Sequence, residues 1–558
     1  MQRVQVSLAL ALLPLVSMTA SAQIVTASYW DQDQGRFGAT IRNLGDLNGD
    51  GRDEMFVGEP RWDNGGTVDA GVAYVIDHAI FYWVHLSGGT QTDAEWGTDA
   101  CRLGDVDGDD FGDFAISARY WDSATHADAG KVVGYSGKSG AVMWTFEGGG
   151  QGEEFGASLE WIGDIDGDGV DEIAATRPND GEVLVLDGNG DKKYAIVRGP
   201  NVEFGAAIAR CEDLDQDKIP DLIVGEPGYD QFFPFLLDCG RAVIYSGANG
   251  AWLGHVPGSF AGERLGSSVS GCGDVDDDGF GDFLTGAMET DKGYNDNGSV
   301  TLWSGATLLA LQKVYGEDDD DRLGLRVVGL RDLDGDGVED FMASAMDGGS
   351  TDLGSITIRS GADGHEIDHY DSALFAPPGG FFSEFGAGLC GGDWNGDEYA
   401  DWAWGDPGYS FSPYGTLVKT GVVNTFIGCP AWAKDYGAGW PGRNGIPTLT
   451  AHAPPQPSYP ISVDVSNSLG ASTLALVMVG SQTAATPYKD GLLLTNGDLL
   501  SSIFSLDAAG TTLSDDLPAD PALYFVDFYV QVIEADPFAS KKISMTAGLH
   551  LRVGIDLD

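Results

Sequence analysis

Seven short stretches carry acidic residues at alternate positions. They read DLNGDGRDE from Asp46, DVDGDDFGD from Asp105, DIDGDGVDE from Asp164, DLDQDKIPD from Asp213, DVDDDGFGD from Asp274, DLDGDGVED from Asp332 and DWNGDEYAD from Asp393. Side-chain oxygens fall at positions one, three, five and nine, and a backbone carbonyl is available at position seven. Alternate side chains of a tight loop can turn toward one centre, and hard oxygen donors suit Ca²⁺. The predicted ligands are Asp46, Asn48, Asp50 and Glu54, then Asp105, Asp107, Asp109 and Asp113, then Asp164, Asp166, Asp168 and Glu172. They continue as Asp213, Asp215, Asp217 and Asp221, then Asp274, Asp276, Asp278 and Asp282, then Asp332, Asp334, Asp336 and Asp340, and last Asp393, Asn395, Asp397 and Asp401. The position-seven carbonyls belong to Arg52, Phe111, Val170, Ile219, Phe280, Val338 and Tyr399.

Position six of such a loop favours Gly, because the turn needs a positive φ. Gly51, Gly169, Gly279 and Gly337 meet that need, Asp110 is tolerable, and Lys218 and Glu398 fit less well. Calcium is therefore expected at up to seven structural sites. Loops one, three, five and six rank highest, loop two next, loops four and seven lowest. An EF-hand would need a bidentate Glu at position twelve. Here that position holds Val57, Ile116, Ala175, Val224, Thr285, Ala343 and Trp404. A solvated acidic turn without an ion would crowd up to five carboxylates into nine residues uncompensated.

These loops punctuate a longer repeat. The steps between first Asp residues are 59, 59, 49, 61, 58 and 61. Upstream of each loop lies Phe37-Gly38, Trp96-Gly97, Phe155-Gly156, Phe204-Gly205, Leu265-Gly266, Leu323-Gly324 or Phe385-Gly386. Twelve residues after each first Asp comes Gly58, Ser117, Thr176, Gly225, Gly286, Ser344 or Gly405, with Gly-Glu-Pro or Gly-Asp-Pro in the fullest form. Run lengths and turn spacing give about four short strands per repeat. Such a unit cannot bury two faces alone, whereas radial stacking buries both and leaves few open edges. The expected fold is all-β: a seven-bladed β-propeller of four-stranded blades, followed by a small β-sandwich. The Phe-Gly, Asp-rich and Gly-Ala-Pro-like elements resemble FG-GAP repeats, as in the propeller of integrin alpha subunits, over roughly residues 24–428. Ile24 to Trp30 is expected to complete the last blade and close the ring; the alternative is that Val422 to Phe426 closes it unaided.

Arg3, the apolar run Val4 to Val16 and Ala20-Ser21-Ala22 read as a secretory signal over residues 1–22. No Cys near the cleavage point suggests a lipid anchor, and no later run reaches membrane-spanning length. A secreted or surface-held monomer is expected. The propeller is placed at 23–428, a Gly/Pro-rich linker at 429–445 and the sandwich at 446–558. That last segment alternates over Ile461 to Val465, Thr473 to Val479, Leu523 to Val532 and Leu549 to Ile555. It is similar to a C-terminal domain of exported bacterial proteins through Gly445-Ile446-Pro447-Thr448-Leu449 and its final Val-rich strands.

The chain has 558 residues and a formal net charge of −56. That balance excludes a general nucleic-acid binder and docking on anionic lipid. The seven loops hold 32 of the 86 acids. Six Cys permit three disulfides of unreadable pairing, or buried free thiols.

Three motifs are decoys on this reading. His365-Glu366-Ile367-Asp368-His369 matches a zinc-protease pattern, but it falls where sister repeats have a strand, which would set its His residues roughly 13 Å apart. Gly137-Lys138-Ser139 is a hairpin turn and not a phosphate loop. Asp464-Val465-Ser466-Asn467-Ser468 reads as a strand end entering a turn.

Strands alternate in direction, so the connections between second and third strands lie opposite the acidic loops. These connections are long and aromatic. The ligand-face candidates are Trp62, Tyr120, Trp121, Tyr229, Phe232, Phe233, Phe235, Tyr294, Tyr409, Phe411 and Tyr414, as anchors for an extracellular protein or a glycan. The competing reading folds these rings back to plug the central channel. A binding or adhesion protein is the leading functional reading. A polysaccharide lyase or phosphodiesterase and a purely structural surface module are the alternatives.

Overall fold

The structure is a computed structural model. It describes residues 4–5, 25–27, 35–77, 82–199, 203–333, 336–348, 354–372, 380–381, 384–394, 396, 400–408, 410–411, 418–419 and 421–426. Beyond these it describes 432–436, 446–451, 460–469, 471–480, 483–488, 491–495, 500–516, 527–535, 543–546 and 548–552. The chain divides into two compact units, 24–428 on one side and 429–558 with 1–23 on the other.

The larger unit contains seven four-stranded antiparallel sheets, one for each repeat. The first is Thr40–Asn43, Glu54–Glu59, Val72–Asp77 and Tyr82–Gly88 in that order, and the acidic loop joins its first two strands. The same order holds in the other sheets. In the seventh the fourth strand is Val25–Ala27, which pairs antiparallel with Val423 to Thr425. The N-terminal segment thus completes the last sheet, as the sequence suggested. First strands lie side by side in a circuit: Thr40–Asn43, Trp96–Gly104, Leu159–Gly163, Ile208–Cys211, Ser268–Gly271, Leu323–Gly329, Gly388–Gly392, and back to Thr40–Asn43. They line a central channel. Radial sheets around a channel are the blades of a β-propeller.

The repeat motifs explain why neighbouring sheets meet. The aromatic or Leu of each Phe-Gly pair is buried, and burying a Phe contributes about 1.5–3 kcal/mol. Gly71, Gly130, Gly240 and Gly298, at the entry to third strands, make parallel bridges to Trp96, Phe155, Leu265 and Leu323 of the next sheet. The following Gly takes a left-handed φ, 87° at Gly97 for example. It lies against the small residue twelve positions after the first Asp of the preceding repeat. A Cβ on Gly58 would overlap the carbonyl oxygen of Gly97, and one on Gly225 that of Gly266. The two halves of the repeat signature therefore touch across sheets and not within one.

The seventh sheet meets the first in the same way. A Cβ on Gly405 would overlap the Gly38 carbonyl, the Asp53 amide donates to the Asp393 carbonyl at 2.9 Å, and Arg36 Nη1 donates to Glu384 Oε1 at 2.8 Å.

The smaller unit has a sheet of Val4–Gln5, Thr511–Asp516, Pro460–Val465 and Leu449–Ala451. A second sheet joins Trp432–Tyr436, Gly548–Arg552, Asp527–Ala535, Thr473–Gly480 and Leu500–Leu506, with Ile543–Met545 on the edge of Asp527–Ala535. A separate hairpin pairs Thr483–Tyr488 with Gly491–Thr495. Among the described residues no helix is long and apolar enough to cross a membrane.

Candidate metal centres and loop face

Each acidic loop is organised by its own carboxylates. Asp46 Oδ1 accepts the N–H groups of Gly49 and Asp50, at 2.7 and 3.1 Å, and its Oδ2 accepts that of Gly51 at 2.8 Å. Asp105 and Asp164 play the same part in their loops, and Asp213 and Asp274 accept the amides of positions five and six. Position six is left-handed as expected. Asp110 and Lys218 adopt it as well, with φ of 69° and 74°, so the turn forms without Gly. Position four is left-handed too, and sequence reasoning missed it. Gly49, Gly108 and Gly167 occupy it, with Gln216 at φ 64° and Asp277 at φ 55° in the fourth and fifth loops. The recurring Gly there was the available signal.

The position-nine acids are buried at the start of the second strand. In all seven repeats one oxygen accepts the position-two amide: Leu47 to Glu54 at 2.6 Å, Val106 to Asp113 at 2.8 Å, Ile165 to Glu172 at 2.7 Å, Leu214 to Asp221 at 2.7 Å, Val275 to Asp282 at 2.8 Å, Leu333 to Asp340 at 2.6 Å and Trp394 to Asp401 at 2.7 Å. Position nine is Asp in five repeats, and in sheets two, four, five and six its second oxygen accepts a turn amide from Gly137, Gly247, Gly305 or Gly361. Where it is Glu, the partner on the third strand is acidic: Glu54 lies opposite Asp77 and Glu172 opposite Asp187. Burial pushes the carboxyls of Glu54, Asp221 and Asp282 up to about 8, 7 and 6, against the pull of these amides.

Positions one, three and nine converge. Carboxylate oxygens of Asp105, Asp107 and Asp113 lie within 4.8 Å of one another, as do those of Asp164, Asp166 and Glu172, of Asp213, Asp215 and Asp221, and of Asp274, Asp276 and Asp282. In the first loop Asn48 stands at position three and its Nδ2 donates to Glu54 Oε1 at 2.8 Å. Position five stays outside these clusters; Asp50, Asp109, Asp168, Asp217, Asp278 and Asp336 each accept the N–H of position seven. Asp334, Asn395, Asp397 and Tyr399 lie outside the described residues. These all-oxygen clusters can hold a hard divalent cation, and their donor chemistry fits calcium.

The decoys resolve as turns and strands. His369 sits on the strand Glu366–Asp371, and His365 Nδ1 lies 2.8 Å from Asp363 Oδ1. Lys138 donates to the backbone carbonyl of Asp109 at 2.7 Å. Asp464 accepts from Thr512 Oγ1 at 2.6 Å, and Ser468 Oγ bonds Glu534. Cys101, Cys211, Cys239, Cys272 and Cys390 are buried free thiols, and Cys429 lies outside the described residues.

On the opposite loops the aromatics divide. Trp62, Tyr120, Trp121 and Tyr229 are half-buried. Arg119 covers Tyr120, Lys131 covers Trp121 and Arg241 covers Tyr229, at 4.5, 4.0 and 3.7 Å from the ring centroids. None lines the channel, which first-strand residues such as Arg42, Asp99, Glu160 and Arg326 surround. Phe232, Phe233 and Phe235, on the hairpin of Gln231–Phe232 and Phe235–Leu236, are 72%, 93% and 65% exposed, and Tyr294 is 47% exposed. Tyr409, Tyr414 and the side chain of Phe411 lie outside the described residues.

Fold and loops together define an all-β repeat chain with propeller-type sheets and an acidic loop in every repeat. The FG-GAP repeat family matches residues 37–76. Human integrin alpha-7 is 30% identical over 152 residues, covering 26% of this chain and 12% of the integrin. Chicken integrin alpha-V is 29% identical over 213 residues, with 34% and 20% covered. Xenopus laevis integrin alpha-5 is 25% identical over 243 residues, with 39% and 22% covered. The chain carries a match to the FG-GAP repeat at residues 37–76 and resembles the propeller of integrin alpha subunits. It spans between an eighth and a quarter of the length of these relatives. The solved V. cholerae biofilm matrix protein Bap1 aligns over 96% of this chain and 71% of its own, at 14% identity and a TM-score of 0.33, too loose a match to carry a functional argument.

Proposed function

We propose that this chain is an exported, calcium-stabilised binding or adhesion module. Calcium at the acidic loops cross-links each turn and neutralises its carboxylates, with positions one, three and nine as the ligand core. The repeat region over 23–428 binds an extracellular protein or a glycan, and 446–558 is a separate β domain behind a linker over 429–445. The observation that carries the binding reading is the hairpin of Phe232, Phe233 and Phe235, whose rings are exposed on a loop braced by a rigid sheet. Exposed aromatics are costly unless a partner covers them. The resemblance to integrin alpha subunits supports the same reading. The excess acid disfavours polyanionic partners.

The test is an array of glycans and extracellular proteins probed with the purified chain, with calcium and with EDTA. Retention on one ligand class, lost with Phe233→Ser, is the expected result. No retention on any ligand, or retention untouched by Phe233→Ser, would overturn the assigned face. A melting curve unchanged by EDTA would overturn the calcium assignment.

A further inference from the structure

The third acidic loop contains a cation of its own. Lys193 Nζ lies 2.6 Å from Asp166 Oδ2 and 3.4 Å from Glu172 Oε1, two of the three carboxylates that converge there. It is also 3.8 Å from both Asp168 and Asp187. One ammonium thus reaches four carboxylates, three of them at predicted ligand positions three, five and nine.

The register of the fourth strand puts it there. In this sheet Val185 pairs with Tyr194 and Leu186 with Lys192, so Lys193 is the extra residue of a bulge. The first, second, fourth, fifth and sixth sheets have a bulge at the same place, and its extra residue is Val84, Met143, Leu253, Leu311 or Ile367. An apolar side chain thus occupies this position in these five sheets, and among the described bulges of fourth strands only that of the third sheet carries a base. The third sheet also carries the additional acid Asp187 where sheets two, four, five and six have Ser136, Ser246, Ser304 and Ser360.

The second, fourth and fifth loops differ from the third in this respect. Lys138 stays at the rim of the second loop, bound to the Asp109 carbonyl and 4.0 Å from that carboxylate. Among the described residues the fourth and fifth clusters form no salt bridge to Lys or Arg.

We propose that Lys193 is a tethered counter-ion of the third acidic loop, holding the carboxylates that a divalent cation needs, so that this loop takes calcium far more weakly than loops two, four and five. The inference rests on the calcium reading above and reverses the high rank that the loop sequence alone assigns to the third site. A cation entering the loop must displace the ammonium or share its carboxylates, and like charges at such separations repel strongly. The tether makes the competitor intramolecular, so it is present at high effective concentration.

The experiment counts calcium ions on the full chain by calorimetric titration and native mass spectrometry. Lys193→Met installs the residue type of the second sheet. It is expected to bind one more calcium ion than the parent, or to bind one at least about tenfold more tightly, and adding Asp166→Asn should abolish the gain. In EDTA the variant should melt lower than the parent, and calcium should raise its melting temperature by a larger step. If parent and Lys193→Met bind the same number of ions with the same affinities, while Asp276→Asn removes one ion from each, the counter-ion role is overturned and the calcium reading stands. If neither chain binds calcium, both fall. A second measurement uses the parent protein alone. Acetylation of Lys193, followed by peptide mass spectrometry, should stay low at calcium concentrations that saturate the other loops; labelling that rises as those loops fill would overturn the proposal.

Discussion

Gly405 of the seventh repeat faces Gly38 of the first so closely that a Cβ on Gly405 would overlap the Gly38 carbonyl oxygen. Gly58 with Gly97, Gly225 with Gly266, and Gly286 with Gly324 repeat the relationship between successive sheets. The seam between the two ends of the repeat region therefore has the same interlock as its internal interfaces. Gly405→Ala is expected to destabilise the chain by about 1–3 kcal/mol through overpacking. Arg36→Ala, which removes only a partly exposed ion pair at the same seam, is expected to cost about 0.2–1 kcal/mol. Urea unfolding followed by tryptophan fluorescence checks the order; equal costs would mean that the glycine contact does not control closure.

Within one loop the acids have separable duties. Asp282 accepts the Val275 amide at 2.8 Å and the Gly305 amide at 2.9 Å, so both its oxygens have partners within the protein. Asp282→Asn should cost about 1–3 kcal/mol in EDTA as well as in calcium, because it disturbs buried partners. Asp276 converges with it but is exposed. Asp276→Asn should leave the melt in EDTA within about 0.5 kcal/mol of the parent and shrink only the calcium-induced rise. Thermal melts of both variants with and without calcium decide this.

Glu160 faces the channel, and burial pushes its carboxyl up to about 7, with Arg42 opposing and Asp99 adding to the rise. Its folded pKa lies above the unfolded value of about 4.3. The folded chain therefore holds the extra proton between those values, and stability from this group falls as pH rises through that window. Glu160→Gln should be relatively more stabilising at pH 8 than at pH 5, by at most about 3 kcal/mol before screening by channel solvent. Denaturant unfolding at the two pH values gives the difference, and a difference of the opposite sign would refute the burial argument.

Phe233 is 93% exposed and contributes nothing to the core. Phe233→Ser should shift unfolding by less than about 0.5 kcal/mol. Half-buried Tyr229 lies beneath Arg241, so Tyr229→Ala should cost about 1 kcal/mol or more. Parallel melts of the two variants separate a surface anchor from a packed ring.

Local rules made much of this protein legible in its sequence. The alternating acids of the nonapeptides and the Gly at position six encode a tight loop whose carboxylates cap its own amides, because all partners lie within nine residues. The recurrence of Phe-Gly and of a small residue twelve positions after each first Asp encodes a stack of similar sheets, because no single repeat can bury both its faces. What those motifs touch was decided by tertiary structure. The Phe-Gly of one repeat meets the small residue of the repeat before it, a contact between chain segments about forty residues apart or, at Gly405 and Gly38, from opposite ends of the ring. The position-nine acid is buried because the turn between third and fourth strands folds over it, as Gly305 does over Asp282. Lys193 reaches Asp166 only because a bulge in the fourth strand aims it there; on sequence alone it is one of two adjacent lysines after a turn. Spacing along the chain determines which groups a loop offers, whereas strand register determines which charge arrives to meet them.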